Sequence, residues 1–395
     1  RSRSAGKKRR YLSMSMHGFS TSQRLSIGRK VLQINWGLML LITATAAVGI
    51  AMLYSAANGS WNPWATRQIA RYGVGLAILI TIALVDIRFW WRYAYLIYGI
   101  LLVMLVAVEV VGSVGMGAQR WINLGVIRLQ PSELMKVGIV LALARYFHGV
   151  SAEDVRRIPY LIVPILMIGA PSALVLKQPD LGTALFLIMT GGAVFFVAGV
   201  RLWKFGLVFA AAGAAVPIAW SMLLPYQQKR IFTFLDPETD PLGAGYHILQ
   251  SKIALGSGGL FGKGFMQGSQ SHLNFLPEKQ TDFIFTMLAE EFGMVGGLVL
   301  LGLYMLIMVY GFAISLRSRT HFGRLLAMGI TSMLFLYVFI NIAMVMGLIP
   351  VVGVPLPLIS YGGTAMLTLM IGMGFLIGTY IHRDVTISRH GGDDG

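Results

Sequence analysis

Ten stretches of about 20 mostly apolar residues stand out along the chain, each long enough to cross a bilayer as a helix. They cover residues 34–56, 69–86, 90–112, 131–148, 158–176, 181–199, 203–224, 283–313, 325–349 and 361–381. The fourth is interrupted by Glu133, Lys136 and Arg145, and the eighth is long enough to tilt or to begin outside the lipid. Between the seventh and eighth lies the longest polar interval, residues 225–282. A connection of that length is either functional or disordered. Ile231, Phe232, Phe234, Ile248, Leu260, Phe261, Phe265, Leu273, Phe275 and Leu276 are spread through it, which favours an ordered cap. The pattern predicts an all-α integral membrane protein of about ten transmembrane helices, with a large external loop between helices 7 and 8. No second folded domain is visible.

Charge fixes the expected orientation. The first 30 residues carry nine of the 32 Lys and Arg residues. Such residues gather on the cytoplasmic side, and placing the N-terminus inside puts 21 of them there against 11 on the other side. Both termini are then cytoplasmic and the 225–282 loop is external. The expected organisation is a basic cytoplasmic tail over 1–33, a polytopic membrane domain over 34–384 and a cytoplasmic C-terminal tail over 385–395. Composition agrees: 56% of residues are hydrophobic and 12% charged, against roughly 25% charged in soluble domains. The net charge of +16 does not imply nucleic acid, because so much of it sits in a tail suited to anionic lipid. With no cysteine there are no disulfides and no thiolate metal sites. The first apolar run is too long for a secretory signal and lacks a cleavage site.

Polar residues inside or beside the apolar runs are the candidates for chemistry, because a charge in hydrocarbon costs about 2.5 kcal/mol or more. Glu133 and Lys136 are spaced to pair on one helix face, either as a structural ion pair or to shape a site for an anionic substrate. Arg120, at the outer water boundary, either anchors headgroups or grips a phosphate bidentately. Lys177 is free to meet a phosphate, whereas Asp180 suits the N-cap of the sixth run. Glycines 256, 258, 259, 262, 264 and 268 either make tight turns or offer N–H groups to a pyrophosphate beside Lys263; no P-loop or dinucleotide fingerprint is present. Asp236, Glu238 and Asp240 give weak support for an oxygen-ligand metal site. His247 and His272 read as surface or packing residues, and Glu290 and Glu291 as structural. Asp282, after Glu278 and Lys279 at the head of the eighth run, is either a helix N-cap or a partly desolvated carboxylate suited to act as a base. In the last external loop Pro350, Pro355 and Pro357 stiffen the chain and Gly362-Gly363 permits close approach. That loop is either the wall of a lipid-binding groove or a re-entrant turn.

Five blocks carry a resemblance that runs from about residue 34 to 384: GAQRWINLG with QPSELMK, KQPDLGTA, DPLGAGYHILQSKIALGSGGLFGKG, NFLPEKQTDFIF and PLPLISYGGT. In this order they resemble the SEDS family of polytopic peptidoglycan polymerases. Lys279 in PEKQTDF is closer to the elongation (RodA) branch than to the division (FtsW) branch. Thr364 and Gln280 depart from the residues common at those positions, without touching the expected chemistry. The resemblance implies a glycosyltransferase that polymerises lipid II during cell elongation. Asp282 would be the general base, undecaprenyl pyrophosphate the leaving group, and Arg120, Lys177, Lys263 and Lys279 the substrate-binding cations. It also implies a class B penicillin-binding protein as transpeptidase partner and a place in the bacterial inner membrane, with the active site on the periplasmic face. No cofactor is required, although a divalent cation would suit the leaving group. A lipid II flippase and a non-catalytic scaffold are the alternatives.

Overall fold

The computed structural model describes residues 26–115, 118–123, 128–223, 225–237, 244–272 and 278–388. They fall into two units, Arg1–Gln33 and Ile34–Gly395. The first contributes helix α1 (Ile27–Leu32). In the second, each of the ten predicted spans is a helix. The first seven are α2 (Trp36–Ala56), α3 (Trp64–Leu84), α4 (Ile87–Val111), α5 (Pro131–Gly149), α6 (Pro159–Lys177), α7 (Leu181–Val197) and α8 (Leu202–Met222). The polar interval folds into three shorter helices, α9 (Pro225–Leu235), α10 (Ala244–Ser257) and α11 (Ser269–His272). The last three spans are α12 (Ile284–Arg317), α13 (His321–Val345) and α14 (Gly363–Ile381). Among the described residues, seven helices (α2, α3, α4, α6, α12, α13 and α14) are long and apolar enough to cross a membrane; α7 and α8 contain shorter apolar stretches. The chain is a multi-pass membrane protein.

Two features were not expected from the pattern. The 225–282 interval contains three helices, which 20-residue apolar runs do not reveal because they are only 4 to 14 residues long. A small antiparallel sheet follows α4, with β1 (Ser113–Gly115), β2 (Ala118–Asn123) and β3 (Arg128–Leu129) in that order. Its strands are too short to show an alternating pattern.

The core lies around α5, α13 and α14. Helix α5 is buried almost throughout, Glu133 and Lys136 included. Helix α8 is peripheral, and Leu207, Val208 and Phe209 on it are exposed, as lipid-facing residues would be. Missing side chains allow close crossings: a Cβ on Gly49 would lie 2.6 Å from the Ile359 Cα, so α2 packs directly on the loop before α14.

Helix α12 is not continuous. Gly293 has φ 66° and ψ −163°, which breaks it after eight buried residues and the exposed Phe292. The glycine run supplies the missing partners. The N–H groups of Met294 and Val295 donate to the carbonyls of Gly259 and Leu260 (2.9 and 3.1 Å). Lys263 and Gly264 N–H donate to the carbonyls of Glu290 and Glu291 (both 3.0 Å). A Cβ on Gly258 or Gly262 would run into the carbonyls of Ala289 or Glu291. These glycines are therefore needed for backbone-to-backbone approach at the break, and the Lys263 and Gly264 amides are already engaged.

Candidate active site

The segment that carries Asp282 is held by three successive carbonyls. Gln280 O accepts from the Tyr361 N–H (2.8 Å), Thr281 O from the Ser360 hydroxyl (2.6 Å) and Asp282 O from the Asn341 side-chain amide (3.0 Å). The loop opposite is itself stitched in place. Asn341 also donates to Val354 O (2.7 Å), the Leu356 N–H donates to Ser360 Oγ (2.7 Å), and Gln68 of α3 donates to Ser360 O (3.1 Å). Tyr304 of α12 donates its hydroxyl proton to Pro357 O at 2.5 Å. Ser251 of α10 meets Thr286 Oγ1 (2.8 Å) and donates to Val345 O (2.9 Å). The loop after α13 is thus the wall of the Asp282 site.

Asp282 is not a capping residue: the N-cap of α12 is Phe283, which offers no side-chain bond. Among the described residues nothing donates a hydrogen bond to the Asp282 carboxylate. Beside it lies Gly353 (φ +71°), where an added Cβ would sit 3.5 Å from Asp282 Oδ2. The residue keeps some exposed surface, but protein crowds its carboxyl group. That burial, with a smaller contribution from Glu278, pushes its pKa up to about 6. A carboxylate without donors, in a low-dielectric setting, holds a proton more readily than an ordinary aspartate. It is therefore a stronger base that is still ionised at neutral pH.

The predicted cations fare differently. Arg120 makes a 3.5 Å ion pair with Asp180 and donates to Pro179 O (2.6 Å) and Gln178 O (3.3 Å). Asp180 is also the N-cap of α7, accepting from the Thr183 N–H at 3.2 Å. A Cβ on Gly182, two residues on, would lie 2.6 Å from Val352 O, so the head of α7 abuts the wall that contains Gly353. Lys177 pairs with Glu109 at 2.8 Å but remains largely exposed. Lys263 pairs at 2.8 Å with Glu290, which is fully buried and also accepts from the Gln270 N–H (2.9 Å). Lys279 is 6% exposed, and burial pulls its ammonium pKa down.

One cation was missed in the sequence. Arg71 of α3 stacks over the Tyr361 ring (4.3 Å) beside Gly363, and its buried Nη1 has no hydrogen-bond partner among the described residues. Placing the second span at residue 69 put Arg71 inside an apolar run and drew no attention to it. Asn341, Ser360 and Gln68 were missed as well, because each acts through a backbone carbonyl of a distant segment.

Glu133 and Lys136 form the predicted pair, at 2.5 Å. Tyr337 closes it into a triad: Lys136 donates to its hydroxyl (2.8 Å), which donates to Glu133 Oε2 (2.7 Å). The ring of Phe186 packs on Tyr337 (4.4 Å) and under Lys136 (4.5 Å). Glu291 accepts from Ser55 Oγ at 2.5 Å. Of the Asp236, Glu238 and Asp240 triplet, Glu238 and Asp240 lie outside the described residues, as does the 274–277 part of the NFLPEKQTDFIF block. His247 and His272 are described only as helix backbone.

Comparison with known proteins follows the same blocks. Residues 30–384 match the family described as Cell cycle protein, FtsW/RodA/SpoVE. Peptidoglycan glycosyltransferase MrdB of Escherichia coli (strain K12) is 45% identical over 347 residues, which is 87% of this chain and 93% of that protein. Peptidoglycan glycosyltransferase RodA of Treponema pallidum (strain Nichols) is 32% identical over 427 residues, 88% of this chain and 98% of that one. A chain solved within a peptidoglycan synthase complex that coordinates polymerization and crosslinking superposes with a TM-score of 0.78 at 34% identity, covering 89% of this chain and 98% of that one. The crystal structure of the Thermus thermophilus rod shape determining protein RodA gives a TM-score of 0.67 at 31% identity, with the same coverage. With a match along residues 30–384 and a shared fold, the chain belongs to the FtsW/RodA/SpoVE family, the SEDS proteins.

Proposed function

We propose that this chain is a peptidoglycan glycosyltransferase that polymerises lipid II into glycan strands during cell elongation, with Asp282 as general base. The C4 hydroxyl of the acceptor GlcNAc attacks C1 of the donor MurNAc. The O–H bond breaks and its proton passes to Asp282 Oδ. The C1–oxygen bond to the diphosphate breaks, and its electron pair leaves with undecaprenyl pyrophosphate. Attack from the face opposite the leaving group inverts the anomeric carbon from α to β. The observation that carries this reading is the state of Asp282, a carboxylate without a donor among the described residues, its pKa raised to about 6, on a segment held by three carbonyl hydrogen bonds. General bases work best with a pKa near the working pH.

Departure of a diphosphate calls for positive charge. Arg120, Lys177, Lys263 and Lys279 are the cations that the resemblance assigns to it, and Arg71 joins them. Arg71 is the best placed electrostatically, because among the described residues no carboxylate pairs with it. Arg120 and Lys263 already neutralise Asp180 and Glu290, and their first effect is on the fold. A divalent cation on the diphosphate is compatible with this scheme but not required by it; polymerisation with and without a chelator measures its contribution. The relatives' peptidoglycan synthase complex supports a class B penicillin-binding protein as the partner. The excess of Lys and Arg on one side supports cytoplasmic termini and a site facing the periplasm. The flippase alternative drew on the intramembrane charges, and these are closed on one another through Tyr337.

The test is reconstitution. The purified chain with its transpeptidase partner and lipid II is expected to yield glycan strands, and Asp282→Ala to abolish them with folding intact. Headgroup movement across liposomes without any polymerisation would instead support the flippase.

A further inference from the structure

We infer that Asn341 is a positioning residue for the Asp282 base: one side-chain nitrogen fixes both the peptide that carries the carboxylate and the loop that walls it. This rests on the reading of Asp282 as the base. Asn341 lies in α13 and is 0% exposed. A carboxamide nitrogen has two hydrogens, and here one goes to Asp282 O (3.0 Å) and the other to Val354 O (2.7 Å). Val354 follows Gly353, the residue that faces Asp282 Oδ2. One atom of α13 therefore holds both the peptide of the carboxylate and the wall beside it.

Two further observations separate this role from general packing. The carbonyls of Gln280 and Thr281 are held by Tyr361 and Ser360, which belong to the wall loop itself. The loop is also tied to α3 and α12 through Gln68 and Tyr304, but neither of those bonds reaches the 280–282 segment itself. Asn341 ties both to a membrane helix, and that helix is fastened one turn earlier to α5 through Tyr337 and the Glu133–Lys136 pair. In addition, Asn341 Oδ1 is buried without a hydrogen-bond partner among the described residues. An orphaned buried acceptor is destabilising, so the side chain fits this place because of where its nitrogen reaches.

The experiment compares wild type, Asp282→Asn and Asn341→Leu in the full chain with its transpeptidase partner, with lipid II as substrate. Folded fraction, kcat, KM and the acid limb of the kcat profile are read for each. Asn341→Leu keeps the approximate shape and removes both donors. Its kcat per folded molecule is expected to fall on the order of 30- to 100-fold, as misplacement by about 1 Å can do, with KM within about threefold of wild type. Its acid limb is expected to move down by at least about half a pH unit as water reaches the loosened carboxylate. If Asn341→Leu does not fold, Asn341→Ser, which keeps one donor, is read in the same way. Wild-type kcat and acid limb in a folded Asn341 variant, with Asp282→Asn inactive, would overturn the positioning role alone. Loss of folding in both Asn341 variants would overturn it as well, since the frame must survive without the amide. Full activity of Asp282→Asn would instead overturn the reading of Asp282 as base.

Discussion

Asp282 is the proposed base, and its environment makes a paired prediction. Its pKa in the fold is about 6 against 3.8 for a free aspartate. Between about pH 4 and pH 6 the folded chain therefore holds a proton that the unfolded chain releases. Stability falls as pH rises through that window and keeps the penalty above it. The penalty is at most about 3 kcal/mol, taking 1.36 kcal/mol per pKa unit. Asp282→Asn is thus expected to raise the apparent melting temperature at pH 7.5 while abolishing polymerisation. In the wild type, kcat/KM is expected to drop as pH falls through about 6. A melting scan and a rate profile check both halves. Arg71 gives a second prediction at this scale. A charge-assisted hydrogen bond to a phosphate contributes about 1.5–3 kcal/mol, so Arg71→Leu should raise KM for lipid II roughly 10- to 100-fold. Arg71→Lys should recover it in part, because it restores the charge without the planar fork that stacks on Tyr361.

Among the elements, α12 shows what a sequence does and does not disclose. Its length and apolar character were legible, and so was Asp282 at its head. The break at Gly293 was not, because a glycine in an apolar run reads as a tolerated residue. Only the partner segment reveals why it is there. The same blindness covered the clamp on residues 280–282, whose donors lie 59 to 81 positions away in the chain. Motif blocks pointed to the glycine run and to Lys263 but left open whether they serve substrate or backbone. Packing at the break favours the backbone, and it can be measured. Lys263→Met removes the cation that neutralises Glu290, a carboxylate at 0% exposure. Breaking one side of a buried pair costs about 3–5 kcal/mol. The hydrogen bond from Gln270 N–H and the 29% exposure of Lys263 place this case at or below the lower end. The variant is expected to melt at a lower temperature with KM for lipid II unchanged. A raised KM with unchanged melting would return Lys263 to the substrate.

For the molecule as a whole, the question is what keeps a bundle of lipid-facing helices in one arrangement when lipid is as apolar as their own side chains. Small residues and interhelical hydrogen bonds do this work in membranes, and one such knot here is Glu133, Lys136 and Tyr337. It joins α5 to α13, and through Phe186 to α7. The pair was legible from three-residue spacing; its third member, two hundred residues away, was not. Because every charge in the knot is matched by another member, the order of damage is predictable. Lys136→Met alone leaves Glu133 without its counter-charge in a site with 6% exposure, and it is expected to cost about 3–5 kcal/mol and much of the folded yield. Replacing both, as Glu133→Gln with Lys136→Met, removes the stranded charge and should recover more than half of that loss. If the knot is structural, the double variant regains polymerisation in step with its folded fraction. If the charges instead take part in moving or holding lipid II, it refolds yet stays inactive. Folded yield and glycan synthesis, measured on the same preparations, decide between the two.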